Sequence, residues 1–202
     1  MNKNIAANID EIKHRIAGAA ARVGRDPSAI KLMAVTKTVA AERIKEAIDA
    51  GITLFGENYV QEAKEKIPAF GKNVQWHMIG HLQTNKSKYV VHLFNCVQSV
   101  DRMELAQELD KRAQRAGYKI DVLIEVNVSG EQTKSGIAAP DTINLVKKVS
   151  ALENISVRGL MTMPPFSDNP EDSRPYFRAL KEISRQISQA RIPRVMMDEL
   201  SM

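Results

Sequence analysis

The sequence holds one cysteine in 202 residues, Cys96, which excludes an internal disulfide framework. Its neighbours Asn95 and Val97 place it in a strand, where a lone thiol is ordinarily an inert core residue, and a reducing cytoplasmic setting is expected. Aromatic residues make up 5% of the chain, too few to build base-stacking platforms. No apolar run approaches the ~18 residues of a membrane span. The opening Met1-Asn2-Lys3-Asn4-Ile5 runs on to Asp10 and Glu11 rather than to an apolar segment with a cleavage site, so no secretory signal is expected. Gly-x-Ser-x-Gly, Cys-x-x-Cys, His-Glu-x-x-His and Walker patterns are all missing, which removes the common nucleophile, redox, zinc and nucleotide signatures.

What is present is an ordinary globular composition, 44% hydrophobic and 26% charged, long enough to bury a proper core as one domain. The net charge of +5 and the pI near 9.3 raise the question of an acidic partner. Basic residues never run longer than two, as in Lys111-Arg112 and Lys147-Lys148. They alternate with Asp and Glu on helical segments, which is the pattern of solvated helix faces. Nucleic acid is therefore not an expected partner, and a phosphate-bearing small molecule stays open.

Apolar spacing predicts helices over 5–23, 40–50, 59–67, 86–92, 141–152 and 173–190, with Asp101 and Glu104 as a capping box for a further helix ending at Gly117. Between them lie apolar strands at 32–36, 52–56, 76–79, 94–100, 122–128, 157–163 and 195–197. None shows in/out alternation, which argues for a parallel sheet covered by helices. An open doubly wound sheet would most often carry a glycine-rich first turn, yet strand one is followed by Thr36-Lys37-Thr38-Val39-Ala40. The TIM-type barrel fits better, since polar residues gather just past the strand ends. Seven strands are one short of the (β/α)₈ count.

Lys37 follows an apolar strand with no carboxylate nearer in sequence than Glu42. A half-buried lysine there would have its charged form disfavoured and its amine available for imine chemistry. Position alone favours the plainer reading, a strand-end lysine reaching to solvent. His77 and His81 have i, i+4 spacing, but on a strand they stand ~13 Å apart and cannot share a metal. No metal site is expected; His77 reads as a core or layer residue and His81 as a rim residue. The segment from Asn127 to Gly136 is a polar loop leaving the strongest strand, in which Lys134 could meet a phosphate. The methionine-rich stretch around Met161 and Met163 reads as core.

Several stretches resemble the pyridoxal phosphate homeostasis protein family, short relatives of the alanine racemase barrel domain. They are Ala34-Val35-Thr36-Lys37, Phe55-Gly56-Glu57-Asn58-Tyr59-Val60-Gln61-Glu62, and Trp76-His77-Met78-Ile79-Gly80-His81-Leu82-Gln83-Thr84-Asn85-Lys86, followed by 126–136, 159–166 and Glu199-Leu200-Ser201-Met202. The resemblance implies pyridoxal 5′-phosphate held as a Schiff base on Lys37, with Asn58 and Tyr59 at the rim of the second strand and Ser201 helping to hold the phosphate. His81 and Lys134 lie in matching motifs and join the expected cofactor-binding set. Family members continue past the position of Met202 with a helix and an eighth strand bearing an arginine that faces the pyridine nitrogen and a Gly-Thr pair. The expectation is thus a single barrel domain over 1–202 of the alanine racemase N-terminal kind, with seven strands and the eighth missing. An unpaired edge between its first and seventh strands and a weakened hold on the cofactor follow from that.

The resemblance further implies a non-catalytic protein that serves pyridoxal phosphate homeostasis, with pyridoxal-phosphate-dependent client enzymes as partners and a monomeric state. Racemisation needs an acid/base group on each face of the substrate imine, and among Tyr59, Tyr89, Tyr118 and Tyr176 only Tyr59 lies near the rim. A racemase-like enzyme of weak activity is the alternative.

Overall fold

A computed structural model describes residues 4–202, and the chain divides into two compact units, Met1–His77 and Met78–Met202. In the first, α1 (Ile5–Ala21) is opened by Asn4, whose side chain accepts from the Ala7 N–H at 3.3 Å, supplying one of the acceptors that a helix start lacks. Next come β1 (Ala34–Val35), α2 (Ala41–Asp49), β2 (Leu54–Glu57), α3 (Val60–Lys66) and β3 (Gln75–Met78), whose final residue begins the second unit. β1 and β2 pair in parallel with Ala34 opposite Phe55 and Val35 opposite Gly56. Phe55 and Trp76 stack with ring centroids 5.0 Å apart, and with Ile44 and Ala63 they are buried.

The second unit continues with α4 (Ser87–Leu93), β4 (Cys96–Val100), α5 (Met103–Ala116), β5 (Ile120–Asn127), β6 (Ile137–Ala138), α6 (Thr142–Val149), β7 (Ile155–Met161), α7 (Arg174–Gln189) and β8 (Val195–Ser201). Its strands run β4-β5-β7-β8, all in parallel, and the two-residue β6 pairs β5 off that path. β4 is buried along its whole length and β5 along nearly all of it, as expected for strands covered on both faces. Cys96, Leu123 and Met161 form one buried cluster, so the thiol is a core group. α5 stops at Gly117, which takes the left-handed conformation at φ 75° that lacks steric cost only for glycine.

All seven expected strands are present, with four differences of detail. β1 is two residues long rather than five, and Val35 is 48% exposed, so it is not the buried strand that its apolar run suggests. β8 reaches Ser201 instead of stopping at Met197, and its first residues alternate between half-buried and exposed. β6 was not expected. The capping box at Asp101 and Glu104 does not form: Arg102 is the N-cap residue without a side-chain bond, and the Asp101 carboxylate instead receives Arg102 Nη1 at 2.6 Å. A charge-assisted bond to a neighbouring guanidinium outcompetes a bond to a helical N–H. Among the described residues no helix is long and apolar enough to cross a membrane.

Candidate functional site

The loop leaving β1 is tied to the loop leaving β2. Thr36 N–H donates to the Gly56 carbonyl at 3.0 Å, extending the β1–β2 register by one step, so Lys37 and Asn58 leave their strands side by side. Behind them lies a polar cluster centred on Lys66, the last residue of α3. Its ammonium donates to the Thr36 carbonyl at 2.8 Å, to Glu57 Oε1 at 3.1 Å and to Glu62 Oε2 at 2.8 Å. Glu62 Oε2 also accepts the Thr38 N–H at 2.9 Å, and the Thr36 hydroxyl donates to Glu57 Oε1 at 2.7 Å. Burial opposes the charge on Lys66, but its bonds to Glu62 and Glu57 outweigh that and hold the ammonium above the usual lysine range. The Lys66 bond, with help from the Thr38 N–H, lowers the Glu62 carboxyl below its ordinary value. Glu57 is fully buried, and its Oε2 has no hydrogen-bond partner among the described residues.

Lys37 itself is exposed, and among the described residues its ammonium has no hydrogen-bond or ion-pair partner. That exposure matches the reading its position favours, a strand-end lysine reaching to solvent; the alternative half-buried environment is not what the structure shows, and the two-residue β1 is too short to provide it. Thr38 follows at φ 58°, a left-handed conformation that a β-branched residue adopts only under constraint. Its hydroxyl donates to the Lys37 carbonyl at 2.7 Å. Asn58 is half-buried and Tyr59, 55% exposed, begins α3. The first unit thus brings Lys37, Asn58 and Tyr59 to one rim. A cavity of about 700 Å³ in the same unit, lined by Lys13, Leu32, Thr53 and Gln75 among others, lies at the other end of these strands.

In the second unit His81 lies past the end of β3, exposed, with Nδ1 3.9 Å from Asp101 Oδ2. Arg102 reaches back from the end of β4 to the Leu82 carbonyl at 2.9 Å and to Thr84 Oγ1 at 3.3 Å, fixing the segment that carries His81. His77 sits half-buried in β3, the layer position expected, and no group of three metal-ligating side chains occurs among the described residues. The 127–136 loop folds around Asn127, whose Nδ2 donates to the carbonyls of Glu131 at 2.8 Å and Lys134 at 3.4 Å. Lys134 is half-buried. The Ser201 hydroxyl donates to Gln98 Oε1 at 2.7 Å. No hydrogen bond or ion pair among the described residues joins His81, Lys134 and Ser201 to one another.

Four residues of these clusters escape a reading of strand ends: Thr38, Lys66, Arg102 and Glu125. Glu125 lies in β5 with 7% exposure, and its Oε2 is unpartnered among the described residues. Burial, and to a smaller extent the charge of Asp101, pushes its carboxyl up to about 7. A carboxylate set within Ile124-Glu125-Val126 is the visible signal, since an acid inside an apolar strand is expensive unless it has a use.

The model of the alanine racemase N-terminal domain family matches residues 7–198. The chain is 42% identical to the pyridoxal phosphate homeostasis protein of Aquifex aeolicus, over 91% of this chain and 81% of that protein. A crystal structure of an unknown protein from Bifidobacterium adolescentis superposes with a TM-score of 0.93 at 31% identity, covering 99% of this chain and 85% of the other. PipY of Synechococcus elongatus, solved with PLP bound, superposes with a TM-score of 0.78 at 29% identity over 93% and 87% of the two chains. The fold class is the α/β barrel type of that family.

Proposed function

Since the chain belongs to the alanine racemase N-terminal domain family, together with the pyridoxal phosphate homeostasis proteins, we propose that it binds pyridoxal 5′-phosphate covalently on Lys37 and serves the homeostasis of that cofactor. The observation that carries the reading is the unpartnered, exposed amine of Lys37 on a loop whose backbone is held on both sides. A lysine engaged in an ion pair would have to break it before reacting; among the described residues this one has none to break. Condensation joins the Lys37 nitrogen to the aldehyde carbon by a C=N double bond and releases one water, and no oxidant or reductant is needed. Asn58 and Tyr59 lie at the same rim of the first unit as Lys37; within the second unit Ser201, Lys134 and His81 carry a hydroxyl, a cation and an imidazole, group types suited to a phosphate or an aromatic ring.

The protein acts as a single cofactor-binding domain over 1–202, monomeric and cytoplasmic, and hands the cofactor to pyridoxal-phosphate-dependent enzymes rather than turning over a substrate. The homeostasis name borne by the relatives supports this over racemisation. Borohydride reduction in the presence of pyridoxal 5′-phosphate, followed by peptide mass spectrometry, tests the anchor. A pyridoxyl group on Lys37, lost in Lys37→Ala, is the expected result; labelling elsewhere, or none, overturns it. Amino acids incubated with the loaded protein in deuterium oxide are expected to keep their α-protons, and sustained exchange would favour the racemase-like reading.

A further inference from the structure

The Lys66 ammonium holds one neighbour of Lys37 directly, through the Thr36 carbonyl, and the other, Thr38, through Glu62, and nothing in the covalent reading requires that. We infer that Lys66, acting through Glu62, is the positioning residue for Lys37: it locks the backbone before and after the anchor and so fixes the direction from which the amine leaves the loop. The inference rests on the proposal that Lys37 is the covalent anchor.

On the near side, Lys66 Nζ holds the Thr36 carbonyl at 2.8 Å. On the far side, Glu62 Oε2 takes the Thr38 N–H at 2.9 Å and is itself held by Lys66 at 2.8 Å. One ammonium therefore pins residues 36 and 38 together, with Lys37 between them. The constraint is visible in the backbone, since Thr38 sits at φ 58°, where a β-branched side chain is strained and relaxes once released. A lysine side chain has four rotatable bonds, so the loop can direct the amine only by fixing the Cα–Cβ bond. That is what holding both flanking peptides does, and pre-orientation of this kind raises affinity by lowering the ordering cost on binding.

A plainer role for Lys66 would be to neutralise the buried Glu57 carboxylate. That role needs neither of its other two contacts. Glu62 in particular has a side chain 29% exposed, so it gains solvent readily and requires no buried counter-ion. Its contacts with Thr38 and Lys66 are those expected if the purpose is the loop.

The test compares wild type, Lys37→Ala, Lys66→Met, Glu62→Ala and Glu62→Gln as full chains. Pyridoxal 5′-phosphate is titrated by the visible absorbance of the C=N adduct, and borohydride-trapped label is mapped by peptide mass spectrometry. Because Lys66→Met leaves the buried Glu57 without its ion-pair partner and can unfold the chain, Glu62→Ala, at a side chain 29% exposed, decides the matter. Glu62→Ala is expected to keep a cooperative thermal transition, to weaken binding about tenfold, and to shift part of the label from Lys37 to other lysines. Glu62→Gln, which keeps an oxygen for the Thr38 N–H, is expected to recover most of the affinity. Wild-type affinity and wild-type label distribution in Glu62→Ala, or no recovery in Glu62→Gln, overturns the inference while leaving the anchor intact. An unlabelled Lys37 in the wild type overturns the anchor reading itself.

Discussion

The Ser201 hydroxyl on β8 donates to Gln98 Oε1 on β4 at 2.7 Å, although β5 and β7 lie between those two strands in the sheet. In a flat sheet strands three places apart stand ~14 Å from one another, beyond the joint reach of serine and glutamine. The bond therefore reports that this part of the sheet is curled, with both side chains on its concave face. Ser201→Ala is expected to lower the free energy of unfolding by about 1 kcal/mol, read as a shift in the urea midpoint at constant slope. An unchanged midpoint would show that the curl does not depend on this bond.

Glu125 gives the second unit a pH dependence with a definite sign. Its carboxyl is raised from 4.5 to about 7, first by burial and then by the charge of Asp101. Below about 4.5 the proton is bound in both folded and unfolded chains, and the contribution is fully present. As the pH rises to about 7 the unfolded chain releases the proton while the folded one keeps it, so stability falls, and above that it levels. Against Glu125→Gln, which cannot ionise, the wild type is expected to lose up to about 3 kcal/mol over this window. Parallel stability curves for the two proteins in denaturant titrations across that range would refute it.

Strand and helix positions were legible because buried parallel strands read as apolar runs, as in Val122 to Val126 with Glu125 the sole interruption, and the glycine at 117 marks a helix end. Lys37, His81 and Lys134 were readable from position as rim candidates, but the cofactor proposed for them came only from motif resemblance, since a lysine after a strand is chemically unremarkable. What escaped reading depends on partners distant in sequence. Lys66 is a helix-end lysine until Thr36, 30 residues earlier, is known to accept its bond. The shortness of β1 escaped too, because apolar residues at 32–35 say nothing of how many will be paired. Asp101 misled in the opposite way: the local capping pattern was real, but Arg102 and His81 lie close enough to claim its carboxylate.

Gly159 in β7 admits no side chain. A Cβ there would stand 1.8 Å from the Glu199 carbonyl oxygen on β8 and 2.7 Å from its carbon. Both obstacles are backbone, which cannot swing aside as a side chain would. Gly159→Ala is expected to cost about 3 kcal/mol or more, enough to lower the melting temperature by several degrees or to abolish soluble expression. Gly71→Ala, where nothing lies within 4 Å, is the matched control, expected within about 0.5 kcal/mol of wild type. Equal melting temperatures for the two variants would mean that β7 and β8 separate more easily than their register implies.

Asn127 holds the loop that carries Lys134 by bonds of two kinds. Its Nδ2 donates to the carbonyls of Glu131 and Lys134, while its Oδ1 accepts the Gly130 N–H at 2.9 Å and the Ser129 hydroxyl at 3.1 Å. Asn127→Ala removes all four contacts. Asn127→Asp keeps the two accepted bonds but turns an oxygen toward two carbonyl oxygens, so it is expected to loosen the loop as much as alanine does. Losing about 1.4 kcal/mol of local stability raises the open population roughly tenfold, and cleavage by trypsin after Lys134 should accelerate by the same factor when opening is fast. Global unfolding in urea should shift far less than that cleavage rate, because the loop opens without β5. If Asn127→Asp is cut no faster than the wild type, the two donated bonds are not what holds Lys134 in place.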